Sequence, residues 1–296
     1  MSRIHYTHCP VCNSTKINPL LTVKDYSVSN EDFVIWQCAD CTLRFTQDVP
    51  DEDSIGPYYA SQDYISHSNT DKGLLNKLYQ RVRKFTLEQK AKLVIENTKS
   101  TGSILDVGAG IGAFLSVMKE KGWQAKGIEP DEGARKNAEQ LFHLKLEEPS
   151  VLFQLAPKGY DAVTLWHVLE HVHDLHNYVE QLKNLLTGEG KIFIAVPNYT
   201  SGDAEAYRRY WAAYDVPRHL YHFTPKAIEK LVSLHGLKLV AKKPMWFDAF
   251  YISLLSSKYR NGKTSWAGAG WNGLRSNLSA FANKDKCSSI IYIISK

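Results

Sequence analysis

Long apolar runs are missing from this 296-residue chain. None approaches the ~18 residues that a bilayer-spanning helix requires, so no transmembrane segment is expected. Met1 to Pro10 has no apolar signal core, and the expectation is a soluble, cytoplasmic protein. A strong charge imbalance is missing too: the net charge of +5 permits an anionic partner without demanding nucleic acid. Cysteine is scarce, five residues in all, and without a secretory signal a disulfide framework is disfavoured. The composition does supply 44% hydrophobic residues, enough core for one large domain or two small ones.

The few cysteines are not scattered. Cys9-Pro-Val-Cys12 and Cys38-Ala-Asp-Cys41 form two Cys-x-x-Cys knuckles, and Cys287 stands alone. Each knuckle turns two sulfurs toward one point, and four thiolates suit a tetrahedral Zn²⁺. The 25-residue spacer, Asn13 to Gln37, holds two strand-like pieces, Leu20–Val23 and Phe33–Trp36. Residues 1–48 therefore read as a zinc ribbon, with two disulfides as the alternative use of the cysteines. Four ligands leave no open coordination position, so the zinc is expected to be structural.

The rest of the chain is organised around residues 103–115. Ile104, Leu105 and Val107 read as a buried strand. Gly108, Ala109, Gly110 and Gly112 make a turn with almost no side chains, and Ala113 to Lys121 reads as a helix stopped by Gly122. Glycine permits positive φ and close approach of a ligand. Asp106 sits near the strand end. Glu129, followed by Pro130, closes a second strand over Gln124–Ile128, about where a ribose-binding acid belongs. The pattern Gly108-x-Gly110-x-x-Ala113 also satisfies the dinucleotide fingerprint, which leaves a nicotinamide oxidoreductase open.

Alternation continues around this unit. Strands are expected at 160–166, 191–197 and 237–246, with helices at 131–142, 174–186 and from Thr224-Pro225 to His235-Gly236. Gly188-Glu-Gly190 is read as a helix stop. The expectation is an α/β, Rossmann-like doubly wound sheet. Before it, 49–98 reads as a linker and an amphipathic cap helix. Leu74, Leu75, Leu78, Val82 and Phe85 mark the apolar face of that helix, and its basic residues read as a solvated face. Tyr64 in the linker is a candidate lid residue over the cofactor. Within 99–296, residues 247–283 are a candidate substrate flap or a membrane-surface patch, with core and substrate cover preferred; Ser288–Ser295 reads as a closing strand.

Two histidine patterns stand out. His167-Val-Leu-Glu170-His171 matches an inverted zinc-peptidase motif, but His167 ends a strand and cannot hold the helical i, i+4 geometry that motif requires. The stretch Tyr210-Trp-Ala-Ala-Tyr-Asp-Val-Pro-Arg-His-Leu-Tyr-His-Phe-Thr224 follows the fifth strand. In it Tyr210, Asp215 and Arg218 are candidate substrate contacts, and Arg218 suits a phosphate or carboxylate. His219 is the candidate general base, because its ordinary pKa lies near neutrality.

Leu105-Asp106-Val107-Gly108-Ala109-Gly110-Ile111-Gly112 resembles the first motif of class I S-adenosylmethionine (SAM) methyltransferases. The resemblance implies that Glu129 takes the ribose hydroxyls and that the last strand returns antiparallel between its two predecessors. It also implies that His167 lies beside the sulfonium, usually through its backbone. With the cysteine knuckles ahead, the layout is similar to zinc-ribbon-bearing bacterial methyltransferases, among them nucleotide-sugar C-methyltransferases. Arg218-His219 stands where a Glu-His pair would be in that group, and no counterpart of the group's large C-terminal domain is expected within these residues. The resemblance implies a small-molecule acceptor, such as a nucleotide sugar or a polysaccharide or secondary-metabolite precursor. The competing reading is an RNA methyltransferase whose zinc ribbon binds nucleic acid.

Overall fold

In the computed structural model of the chain, residues 2–60, 74–98 and 101–296 are described. They form two compact units that do not follow chain order. One comprises Met1–His67, Leu169–His176 and Ala195–Tyr292; the other comprises Ser68–Val168, Asn177–Ile194 and Ile293–Lys296.

The first unit begins with a short antiparallel pair, β1 (Arg3–Ile4) and β5 (Val49–Pro50). Alternating burial along β3 (Asp32–Cys38) puts Phe33 and Ile35 inside. That strand pairs antiparallel with β2 (Ile17–Lys24) and with β4 (Arg44–Thr46). A fourth strand comes from much later in the chain: β10 (Tyr221–His222) pairs with β4 in the register Tyr221↔Phe45 and His222↔Arg44. The ribbon sheet is thus completed by the loop that carries Asp215, Arg218 and His219.

The second unit holds the expected β-α-β element. β6 (Ser103–Val107) leads to α2 (Ala113–Glu120) and to β7 (Gln124–Ile128), following α1 (Leu74–Asn97). β6 runs parallel to β7 and to β8 (Tyr160–Trp166). α3 (Glu132–Phe142) starts at Asp131, whose side chain accepts from the Ala134 N–H. On α1, Ala91 and Val94 are buried, and of the expected apolar face Phe85 departs, at 52% exposed. The side chains of Leu74, Leu75 and Leu78 lie outside the described residues.

After α4 (Leu175–Leu185) the strand begins at once, so β9 spans Leu186–Pro197 and takes in Gly188 and Gly190. The expected helix stop is therefore corrected. An added methyl at Gly190 would come 2.8 Å from the Tyr160 carbonyl, so glycine here serves close strand approach. α5 (Gly202–Tyr207) and α6 (Pro225–Leu234) follow, the latter capped by Thr224 accepting from the Ala227 N–H. Then come β11 (Lys238–Pro244), α7 (Asp248–Asn261), α8 (Trp266–Ala282) and β12 (Ser289–Ser295). The six-stranded mixed sheet has the order β11-β12-β9-β8-β6-β7. The last strand lies between its two predecessors, β11 and β9, where the family resemblance put it. No helix among the described residues is long and apolar enough to cross a membrane.

Candidate functional site

The glycine turn is drawn tight by its own backbone. The Gly108 and Ala109 N–H groups both donate to the Ile128 carbonyl, at 2.8 and 2.9 Å, and Gly112 N–H donates to Ala109 at 2.9 Å. Gly108, Gly110 and Gly112 take φ of 73°, 54° and 77°. Two of these glycines differ in purpose. A methyl group on Gly108 would strike Val168 Cγ2 at 2.4 Å, whereas one on Gly110 would meet nothing within 4 Å. The Gly110 face is an open cradle at the N-terminal side of α2.

Two buried carboxylates flank that cradle. Glu129 Oε2 accepts from the Gly110 N–H at 2.7 Å, and Oε1 accepts from the Asp131 N–H at 3.0 Å. Burial raises the Glu129 pKa, and these two amides only partly offset the rise. Arg135 Nη1 donates to the Glu129 and Pro130 carbonyls, both at 2.7 Å, which fixes the backbone after β7. Asp106 is 1% exposed and accepts from Thr164 Oγ1 at 2.6 Å. Burial pushes its pKa up to about 7 against the lowering effects of Thr164 and Lys90. Lys90 Nζ lies 4.4 Å from the Trp166 ring centroid. His167 follows β8 directly with φ 60°, which shows that it ends a strand. Tyr64 lies outside the described residues.

The first unit contains the cysteines and the histidine loop. The four sulfurs lie within 4.8 Å of one another. Cys9 Sγ is 3.5 Å from Cys41 Sγ, and Cys12 Sγ is 3.6 Å from Cys38 Sγ. A disulfide needs about 2.05 Å; the edge of a ZnS₄ tetrahedron with ~2.3 Å bonds is about 3.8 Å. The two knuckles share a backbone form. Asn13 and Thr42, each following a second cysteine, adopt positive φ and donate N–H to the carbonyls of Cys9 and Cys38. Cys287 is buried, and burial lifts its thiol to about 11, outside reactive range at neutral pH.

In the loop after β9, Arg218 is 1% exposed and its donors are engaged. Nε and Nη2 donate to the two oxygens of Asp215 at 3.0 and 2.7 Å, Nη2 also to Asp25 Oδ1 at 2.9 Å, and Nη1 to the Tyr58 carbonyl at 2.7 Å. The expected anion clamp is an internal tie between parts of the sequence nearly two hundred residues apart. Tyr210 packs near Tyr26, with ring centroids 6.2 Å apart.

His219 is buried, and its Nδ1 lies 2.9 Å from the Ala213 carbonyl. A carbonyl only accepts, so Nδ1 carries the proton and Nε2 the lone pair of the neutral ring. His171 makes the same kind of contact, Nδ1 to the Arg218 carbonyl at 3.0 Å, with Tyr59 Oη also at 3.0 Å. The two imidazoles lie edge to face at 4.6 Å. Burial and the neighbouring His219 depress the His171 pKa to about 4. One ligand atom from each of Glu170, His171 and His219 lies within 4.8 Å of the others. The peptidase-like run Glu170-His171 is thus joined by His219. Sequence spacing could not supply that partner.

A family model described as "Methyltransferase domain" matches residues 76–242, more than half of the chain. The chain belongs to that family. The match to the methyltransferase domain takes in the glycine turn, both acids and the histidine loop. An uncharacterized methyltransferase of Alkaliphilus oremlandii is 28% identical over 114 residues, covering 38% of this chain and 51% of its own length. A ubiquinone biosynthesis O-methyltransferase of Actinobacillus pleuropneumoniae serotype 5b is 33% identical over 108 residues, covering 33% of this chain and 46% of its own. The chain spans about half the length of the curated relatives it matches. A protein of Pyrococcus horikoshii OT3 of known crystal structure is similar in fold, with a TM-score of 0.51 at 14% identity over 80% of this chain and 97% of that one.

Proposed function

We propose that this chain is a SAM-dependent methyltransferase acting on a small-molecule acceptor of the nucleotide-sugar, polysaccharide-precursor or secondary-metabolite-precursor class. The observation that carries this reading is the open face at Gly110, set between two buried carboxylates. Asp106, Gly108, Ala109, Gly110, Gly112, Glu129, Pro130 and the His167 backbone are the groups that would hold SAM. Glu129 would accept from the ribose hydroxyls. When bound, SAM supplies a methyl group on a positively charged sulfonium, a leaving group that needs no further activation. The protein's share is to align the acceptor and exclude water.

His219 is the proposed general base, acting at Nε2 because Nδ1 is tied to Ala213. Tyr210 is the proposed acceptor contact, and the Arg218–Asp215 pair positions the loop that carries His219. Cys9, Cys12, Cys38 and Cys41 are proposed to hold one structural Zn²⁺, supported by their spacing in space.

Calorimetry of zinc-loaded protein with SAM and S-adenosylhomocysteine tests the reading. The expected result is one site per chain for each ligand; absence of binding by folded protein removes the enzyme assignment. Salt-sensitive binding to RNA, with a slope set by the phosphates contacted, would favour the nucleic-acid acceptor instead.

A further inference from the structure

Helix α8 is amphipathic in the wrong sense for a core helix. The face it turns inward is small and polar: Ala269, Gly273, Ser276, Asn277 and Ala280 are the residues it buries. That face is bonded into place. Ser276 Oγ donates to Asp203 Oδ1 at 2.7 Å, and Asn277 Nδ2 donates to the Trp246 carbonyl at 2.8 Å. A methyl on Gly273 would strike the Phe250 ring at 2.6 Å. The opposite face carries Trp271, Leu274, Leu278 and Phe281, exposed by 66, 46, 59 and 74%. Their spacing of three and four residues makes one stripe along the helix. Trp266 at the start of α8 and Tyr251 on α7 are also exposed, at 62 and 59%. Burial of small polar groups beneath a stripe of outward aromatics fixes the helix in this orientation, so the stripe is a lasting surface feature.

The surroundings are basic. Between Phe247 and Lys286 the sequence has Lys258, Arg260, Lys263, Arg275, Lys284 and Lys286 against two acids, Asp248 and Asp285. Of those groups, Asp285 is held by Lys242 Nζ at 2.6 Å, and Lys286 Nζ is engaged by Glu205 Oε1 at 2.9 Å. Lys263, Arg275 and Lys284 are exposed, and Arg275 borders the apolar stripe on the helix. Tryptophan and tyrosine bordered by lysine and arginine are the side chains that settle at the headgroup level of a bilayer. A second copy of the chain would bring like charges together around the stripe, whereas an anionic headgroup layer complements them. No described helix can cross the membrane, and at 17 residues α8 is about 26 Å long, suited to lying in the interface plane.

We propose that the α7–α8 segment is a peripheral membrane anchor that lays the Trp271–Phe281 stripe into an anionic lipid surface. The stripe supplies the apolar insertion, and Lys263, Arg275 and Lys284 supply the preference for negative headgroups. Binding is reversible, because it rests on one interfacial helix and a few charges. This inference is independent of SAM binding, which belongs to residues of the other unit.

The experiment is flotation of the full, zinc-loaded chain with vesicles of phosphatidylcholine alone and with about a third phosphatidylglycerol. The expected result is co-flotation with the anionic vesicles, a blue shift of tryptophan emission, and loss of binding as salt is raised. Trp271→Ser with Leu278→Ser should lower partitioning at least tenfold while leaving SAM affinity and the thermal melt unchanged. Arg275→Glu with Lys284→Glu should abolish the preference for anionic over neutral vesicles. No flotation with either vesicle, or flotation undiminished in the serine variant, overturns the proposal. A dimer in sedimentation equilibrium that Trp271→Ser dissolves, without vesicle binding, also overturns it and assigns the stripe to self-association.

Discussion

Asp106 and Asp25 are both buried aspartates, and their surroundings drive them in opposite directions. Burial raises both. At Asp25 the Arg218 hydrogen bond and charge, with backbone amides, outweigh burial and hold the carboxylate below its ordinary range. Asp215 behaves in the same way against the same guanidinium. At Asp106 the contact is a neutral Thr164 hydroxyl, and the carboxyl rises to about 7. The contrast separates an electrostatic arrangement that is complete from one suited to receive a ligand. Arg218 with its two aspartates finishes its own hydrogen bonding inside the protein and serves architecture. The acids beside the glycine turn are met by a hydroxyl and backbone amides, next to an open face.

Breaking the completed cluster should have the largest effect. Arg218→Ala leaves Asp25 buried without its cation and should cost about 3–5 kcal/mol in urea unfolding. Unchanged stability with lost acceptor turnover would return Arg218 to the substrate. At the other acid the sign follows from linkage. The folded Asp106 carboxyl keeps its proton to about 7, while the unfolded one loses it near 3.8. The folded state therefore binds more protons across that window, and stability falls as pH rises through it, by up to a few kcal/mol. Asp106→Asn should flatten that slope in denaturation series run between pH ~4 and ~7.

Glu129→Ala should weaken SAM roughly tenfold to a hundredfold in calorimetry, the value of hydrogen bonds to a charged group, and leave the fold intact. The smallest stability change is expected at Gly110→Ala, about 1 kcal/mol for the positive φ alone, because space is free there. SAM binding should nevertheless be lost, since the added methyl occupies the cradle. Gly108→Ala, which must displace Val168, should destabilise more than Gly110→Ala in the same thermal melt.

What the sequence revealed follows the range over which each signal acts. The β-α-β unit was legible to within a residue or two because its strand, turn and helix signals are contiguous, and the Thr224–Pro225 helix start was legible for the same reason. The cysteine set was legible because spacing within each knuckle is local. The Arg218–Asp25 bond spans 193 positions, and no local pattern announces it. Asp215 and Arg218 read as substrate contacts because a short run of charge and aromatics looks the same whether its partner is a ligand or a distant loop of the chain. Glycines at 188 and 190 misled because glycine marks both helix stops and close strand approach. In α8 the periodicity gives two faces, and the sequence alone does not say which one turns inward.

The pairing of Tyr221–His222 with Arg44–Phe45 also sets a timetable for synthesis. At roughly 5–20 residues per second, a ribosome reaches the fourth strand of the ribbon sheet about nine to thirty-five seconds after releasing the third. For that interval the edge of β4, a few residues beyond the second knuckle, has no strand to pair with. Early capture of a metal ion by the nascent segment would hold the vacancy open until its late partner emerges.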